Sequence, residues 1–421
     1  MTAEVAIINR QGIALAADSA VTVGRAKVWK TAHKLFSLGP RHDMAIMVYG
    51  TGSYLEFPWD AVVKAFRQEN NDKRFDTVRE CMEAFRQYLL RDTFKHEPGH
   101  KRSVISVLIE HVDSIRREAK VDGDPKVWNA DKANEIIDGV QKELAQAIVL
   151  FDDLTFEDFK ADVGAEIEAY LAETVPEDAK AEFIPKLLAL AFDAFRRKRE
   201  SQRSTGVVFA GFGVEEFFPH LLHFTLDGRL GARLRWWEEE GDARNLNTPD
   251  DYGKPCIIPF AQRDMPFLFL TGIGGEHLQF LNSGLESVMD GVFGDVIEKF
   301  VPQDQQEDAL SAVATGSALA ASEFMQQFTN FVAQSVMSPI YRAVSALPKE
   351  EMAAMAEALV ELTSLRRKID SRLESVGGPV DVAVISKGDG LVWIKRKHYF
   401  KIDINPDFMK RRTLLNGGPD E

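Results

Sequence analysis

The sequence predicts an α+β protein of antiparallel sheets and helical layers, and three observations carry that prediction. Short apolar runs flank turn signals at both ends of the chain. Amphipathic helical patterns lie between them. One long middle stretch, rich in charge, carries helical periodicity throughout. Residues 3–8 (AEVAII) and 13–17 (IALAA) surround Asn9-Arg10-Gln11-Gly12 and read as a β-hairpin. The 27–38 segment around KLFSL and the 43–49 run (DMAIMVY) make a second hairpin across Gly39-Pro40. Leu55, Trp59, Val62, Val63 and Phe66 then recur at helical spacing.

Residues 76–203 read as a helical insertion. Val78, Met82, Phe85 and Leu89 form one apolar stripe. Ile136, Ile137, Val140, Leu144 and Ile148 form a second, and Leu187, Leu188, Ala191 and Phe195 a third. A loop at Asp122-Gly123-Asp124-Pro125 divides the insertion. Strand character returns at 206–212, 219–226 and 229–237, with Asp227-Gly228 as the expected hairpin turn between the last two. The apolar run 267–271 (FLFLT) is followed by Gly272-Ile273-Gly274-Gly275 and a helix near 277–300. Helices fill 303–373, broken at Pro348, and a final hairpin pairs 379–386 with 391–396. The expected organisation is therefore 1–75, the insertion 76–203, 204–300, a helical 301–375, and a closing hairpin with tail at 376–421.

Composition narrows the function. Of 421 residues, 51 are basic and 65 acidic, a net charge of −14, which argues against a nucleic-acid binder. No apolar run approaches the roughly 20 residues of a membrane span, and no secretion signal is seen, so a cytoplasmic protein is expected. Cys81 and Cys256 are too few for a disulfide framework or a cysteine metal site. Nine histidines show no metal-ligand spacing, and His220 and His223 read as packed strand residues. No phosphate loop is present, because the glycines at 272–275 lack the lysine and hydroxyl residue. No cofactor and no metal are expected.

Several blocks together resemble proteasome β-type subunits, in a bacterial proteasome-like form with helical insertions. They are GIALAADSAVT at 12–22, HKLFSL at 33–38, MAIMVYGTG at 44–52, VVFAGFGVEEFFPHLLHFTLDG at 207–228, and the stretch 350–390. They cover about half the chain and follow the family's order. The resemblance implies an N-terminal-nucleophile (Ntn) hydrolase fold, a four-layer αββα sandwich of two antiparallel sheets. It also implies a mature chain starting at threonine, with an aspartate sixteen and a lysine thirty-two residues on. Thr2, Asp18 and Lys34 stand at those distances.

The chemistry suits these types. A threonine hydroxyl needs an adjacent base, and a free N-terminal amine is one solution. Its unperturbed pKa of about 7.7–8.0 allows it to take and return a proton near neutrality. A neighbouring ammonium, Lys34, favours the neutral amine, and Asp18 would pair with and hold Lys34. By the resemblance, the backbone N–H of Gly50 would face the oxyanion. A plain turn glycine is the equal alternative there. Removal of Met1, expected before a small residue, is the condition for all of this. Two supporting groups of the family lack counterparts: Gly272-Ile273-Gly274-Gly275 has no serine, and Glu374-Ser375-Val376 precede Gly377-Gly378, with Asp370 too early. Ser19 keeps its place beside Asp18.

The expected activity is threonine-type amide hydrolysis of peptides through an acyl-enzyme. A small-molecule amidase and a non-catalytic scaffold are the alternatives. A peptide or amide substrate and a homo-oligomer, ring-shaped by resemblance, are the expected partners, with no nucleic acid and no membrane. Any partner unfoldase is left unspecified.

Overall fold

The computed structural model describes residues 2–23, 27–121, 123–369, 377–398, 400–407 and 410. They form antiparallel sheets and helices in two compact units. The first comprises residues 1–31, 249–384 and 392–399. The second comprises 32–248, 385–391 and 400–421.

The first unit is built on a sheet ordered Cys256–Ala261, Ala3–Asn9, Gly12–Ala17, Asp381–Ser386, Gly390–Lys395. The predicted opening hairpin is present, with Glu4 opposite Ala17 and Asn9 opposite Gly12. Strand alternation decides what its sides bury. Ala3, Val5, Ile7, Ala14 and Ala16 pack with Met352, Ala356, Leu359 and Val360 of the Lys349–Ile369 helix. Asn9 Nδ2 donates to the carbonyls of Val344 (2.9 Å) and Leu347 (3.0 Å), tying the hairpin to the preceding helix end.

The second unit's main sheet runs Arg233–Glu238, His220–Leu230, Thr205–Phe212, Asp43–Gly50, Leu35–Ser37. Met44, Ile46, Val48, Val207, Phe209, Leu222, Phe224 and Leu226 share one face and meet the helices Trp59–Glu69 and Val78–Leu89. Phe66 stands edge-on to Phe85 at 5.0 Å and to Tyr88 at 5.4 Å. Such ring pairs add about 0.5–1.5 kcal/mol each beyond area burial. Thr77 caps the Val78–Leu89 helix by accepting from Glu80 N at 3.1 Å, as its T-x-x-E pattern implies. Glu216 accepts from the Val78 amide (3.0 Å) at the same helix end and holds His220 Nδ1 at 2.5 Å.

Helices Glu97–Glu118, Ala130–Gln146, Phe156–Thr174 and Lys180–Arg196 gather a separate apolar core around Leu108, Ile115, Ile137, Phe159, Leu187 and Phe195. Ile148 falls outside the helix whose stripe it was expected to extend, and is exposed. His111 is buried in the first of these helices. Burial, reinforced by the Arg199 charge and opposed by Glu143, pushes it down to about 4. Its folded pKa lies below the unfolded 6.5. The folded protein therefore keeps it neutral where the unfolded chain protonates it. Stability is full above about pH 6.5 and falls as pH drops, the loss reaching about 3 kcal/mol near pH 4. His111→Leu is expected to flatten that slope in urea titrations between pH 6.5 and 4; an unchanged slope assigns it to another group.

FLFLT is the end of a helix, Asp264–Thr271, closed by Gly272 in the left-handed conformation. A short apolar run has no decisive period, and here an acid in the first turn and a glycine cap select the helix. The strand that borders Ala3–Asn9 is Cys256–Ala261. Two local expectations are corrected, and the first is that Asp227-Gly228 is not a turn. His220–Leu230 runs through it, the register shifts between Leu226 and Arg229, and the chain reverses at Gly231-Ala232. Gly228, at φ +101°, meets the Ser103 side chain where a Cβ would stand, so the glycine serves a bulge against a helix. Around residue 122, which lies outside the described set, Lys120–Val121 and Asp124–Trp128 pair as strands rather than forming a plain loop.

Candidate active site

Thr2 stands just before the Ala3–Asn9 strand, and Asp18 just after Gly12–Ala17. One step beyond the Glu4–Ala17 pair, the two strand ends exchange bonds. Ala3 N donates to Asp18 Oδ1 at 3.2 Å, and Asp18 N donates to Ala3 O at 3.1 Å. The Asp18 carboxylate also accepts from Ala20 N (3.3 Å) and from Gly377 N (2.8 Å). Asp18 is fully buried and draws together three backbone segments, one of them 359 positions away. Ser19 supports the same junction: its amide donates to Gly377 O at 3.2 Å and its hydroxyl to Pro379 O. The serine beside the aspartate therefore has a defined partner.

Thr2 is 2% exposed, and its Oγ1 is buried with no hydrogen-bond partner among the described residues. A buried hydroxyl without a partner costs about 1–3 kcal/mol, and such groups are rare in folded proteins. Ala3, Val5 and Ile7 face the helix-covered side of the sheet. Alternation puts Glu4 on the other side, and one step back puts Thr2 there too. Glu4 is fully buried. This carboxylate, two residues from Thr2, was passed over in the sequence because only its charge distinguishes it within an apolar strand.

Lys34 and Gly50 belong to the second unit. Lys34 is 3% exposed and precedes the Leu35–Ser37 strand, its carbonyl accepting from Val48 N at 2.9 Å. A lysine so deeply buried is rare for its type. Gly50 ends the Asp43–Gly50 strand opposite Thr205, with φ +90° and an exposed backbone. A Cβ there would lie 2.5 Å from Ser204 O. Thr51 fastens the strand end, donating from N to Ser204 O at 3.3 Å and sharing a hydroxyl bond with Thr205 at 2.5 Å. Gly50→Ala is expected to cost about 1–3 kcal/mol through strain and the clash. Urea melts check this, and an unchanged midpoint would show that the left-handed backbone is not required.

Met1 and residues 370–376, among them Asp370, Glu374, Ser375 and Val376, lie outside the described residues. Among the described residues no group of His, Cys, Asp and Glu is arranged to hold a metal. No helix there is long and apolar enough to cross a membrane.

No family model matches the chain, and no curated protein matches it. Solved structures do align along its whole length. They include an Anbu (Gly-1) mutant from Hyphomicrobium sp. strain MC1, Anbu (ancestral beta-subunit) from Yersinia bercovieri, and the helical assembly of the Anbu complex from Pseudomonas aeruginosa. Each is 10% identical with a TM-score of 0.28, covering 100% of this chain and 99%, 98% and 98% of those chains. This corrects the family read from the sequence: the chains that align are Anbu proteins, a family distinct from the proteasome β-type subunits. Identity and TM-score at this level carry no argument about chemistry, so the reading of the site rests on its own residues.

Proposed function

We propose that this chain is a threonine-type amide hydrolase in which Thr2 is the nucleophile, with peptides as the substrate. The supporting observation is the Thr2 hydroxyl itself, buried and without a hydrogen-bond partner among the described residues, at a junction organised by Asp18. An orphaned buried hydroxyl destabilises a fold, and a reacting atom is one reason to keep it. With Met1 removed, the amine of Thr2 takes the hydroxyl proton, Thr2 Oγ1 attacks the amide carbonyl, and the leaving amine takes that proton. Water then releases the acyl group from the resulting ester. Lys34, assigned on sequence spacing, favours the neutral amine, with Asp18 as its partner. The Gly50 N–H is assigned to the oxyanion. A four-layer αββα arrangement of two antiparallel sheets belongs to the same proposal and rests on the order of the sequence blocks.

Self-association is part of this reading. The helices Gly275–Phe300 and Gln306–Val332 leave Phe280, Val292, Phe300, Leu319 and Phe331 more than half exposed. Apolar surface of this extent marks an interaction site. Sedimentation velocity is expected to show an assembly larger than one chain.

The reaction is tested with a peptide epoxyketone, which closes a ring only with both hydroxyl and amine of one N-terminal residue. Intact mass and peptide mapping are expected to show Met1 absent and the adduct on Thr2. Retained Met1 with no adduct would sink the proposal and favour a non-catalytic scaffold. An adduct accompanied by turnover of simple acyl amides, but not of peptides, would favour the small-molecule amidase.

A further inference from the structure

The second unit holds a string of side chains that the Thr2 chemistry does not use. The Tyr49 hydroxyl lies 2.6 Å from His223 Nε2, and His223 Nδ1 lies 2.9 Å from Asp242 Oδ2. Three segments supply them. Tyr49 is the penultimate residue of the Asp43–Gly50 strand, and His223 lies within His220–Leu230, two strands over. Asp242 ends the short turn Glu240–Asp242, anchored by Glu239 N donating to His223 O at 2.8 Å. The intervening strand has Gly206 opposite Tyr49, and a Cβ at Gly206 would collide with the phenol ring. The glycine lets the ring cross the strand and reach His223. His223 sits on the sheet face opposite the apolar cluster formed by Leu222, Phe224 and Leu226.

The order is that of a nucleophile, a base and an orienting carboxylate. Asp242 accepting from Nδ1–H leaves the Nε2 lone pair facing the phenol, which donates to it. His223 is 1% exposed, whereas Tyr49 is only partly buried. A partly exposed phenol can be satisfied by solvent, so burial does not demand this string. An imidazolium at His223 would be stabilised by Asp242 and by Glu200, close enough to feel the His223 charge. Glu239 is held by Thr225 Oγ1 (2.8 Å), Trp237 Nε1 (2.6 Å) and Lys198 Nζ (3.3 Å). The Asp242 and Glu200 carboxylates at the histidine repel an anionic donor, such as a phosphoryl compound, and admit a neutral acyl donor.

We propose that Tyr49 is a second nucleophile, activated by His223 and oriented by Asp242, that accepts an acyl group from a neutral activated ester. The phenolic oxygen bonds to the carbonyl carbon as its proton passes to His223 Nε2. The bond from that carbon to the leaving alcohol breaks, and the alcohol takes the proton from the imidazolium. Tyr49 is left as an ester and His223 returns to its neutral form.

The test uses full-length Thr2→Ala protein, which removes the competing nucleophile and makes the outcome independent of the Thr2 reading. With p-nitrophenyl acetate we expect a stoichiometric p-nitrophenol burst and an acetyl group mapped to Tyr49 by mass spectrometry. Tyr49→Phe should lose both. His223→Gln and Asp242→Asn should slow Tyr49 acetylation, the first by about 100-fold or more. Circular dichroism melts establish that each variant is folded, and if His223→Gln is not, Asp242→Asn decides. Acetyl groups on lysines alone, or Tyr49 acetylation at an unchanged rate in the folded variants, overturns the proposal.

Discussion

Thr2→Val is expected to abolish hydrolysis and at the same time raise stability by about 1–3 kcal/mol. The two effects share one cause. Oγ1 is buried and lacks a hydrogen-bond partner among the described residues, so replacing it by a methyl group of similar shape removes a desolvated polar atom and breaks nothing. A residue that stabilises when its functional group is deleted is held for chemistry rather than for folding. Thr2→Ser keeps a hydroxyl and should retain turnover without the stability gain. Equilibrium urea melts paired with a peptide-cleavage assay check both halves. A Thr2→Val protein that still cleaves peptides removes the nucleophile from Thr2, and one that loses stability shows that the hydroxyl has a structural role.

Asp227→Ala is expected to cost about 3–5 kcal/mol, the largest stability effect anticipated for one side chain here. Asp227 and Arg235 form an ion pair at 3.1 Å with both side chains fully buried. Burial pushes the Asp227 carboxyl up and the Arg235 guanidinium down, and each partner's charge opposes the other's shift. Desolvation therefore outweighs the attraction, and the pair matters chiefly because losing one member strands the other. Asp227 also accepts from Ser201 N (2.9 Å) and Ser201 Oγ (2.5 Å). Arg235 donates to the carbonyls of Ala194 (2.9 Å), Phe195, Arg197 (3.2 Å) and Arg199 (2.5 Å), collecting the unpaired carbonyls at the end of the Lys180–Arg196 helix. Arg235→Lys cannot replace the planar fork and should lose most of the same stability. A double-mutant cycle with Arg235→Met measures the coupling. A loss below about 1 kcal/mol for Asp227→Ala would mean that water or a rearranged neighbour compensates Arg235.

Much of the secondary structure in each unit was legible as pattern. The apolar runs on either side of Asn9-Arg10-Gln11-Gly12 formed the hairpin expected of them, and the stripe from Val78 to Leu89 formed its helix. Both signals are local, because the side-chain period of a strand or helix is written within a few residues. The Asp227-Gly228 pair misled for the opposite reason. As a dipeptide it favours a tight turn, yet the buried pairing of Asp227 with Arg235 and the contact of Gly228 with Ser103 keep it inside a strand. His220 and His223 read as packing residues, and they are buried. Their carboxylate partners Glu216 and Asp242 were invisible, one lying in a loop and the other on a turn whose position depends on the sheet.

By itself the sequence determined the residue types and spacings of Thr2, Asp18, Lys34 and Gly50, and the strands they adjoin or end. These follow from local period and from counting along the chain. Only the tertiary structure decided that the Asp18 carboxylate is divided among the amides of Ala3, Ala20 and Gly377, and that Thr2 Oγ1 is buried without a partner among the described residues. Hydrogen-bond partners hundreds of positions apart, and the burial of one oxygen, are set by packing and desolvation, which no window of sequence contains.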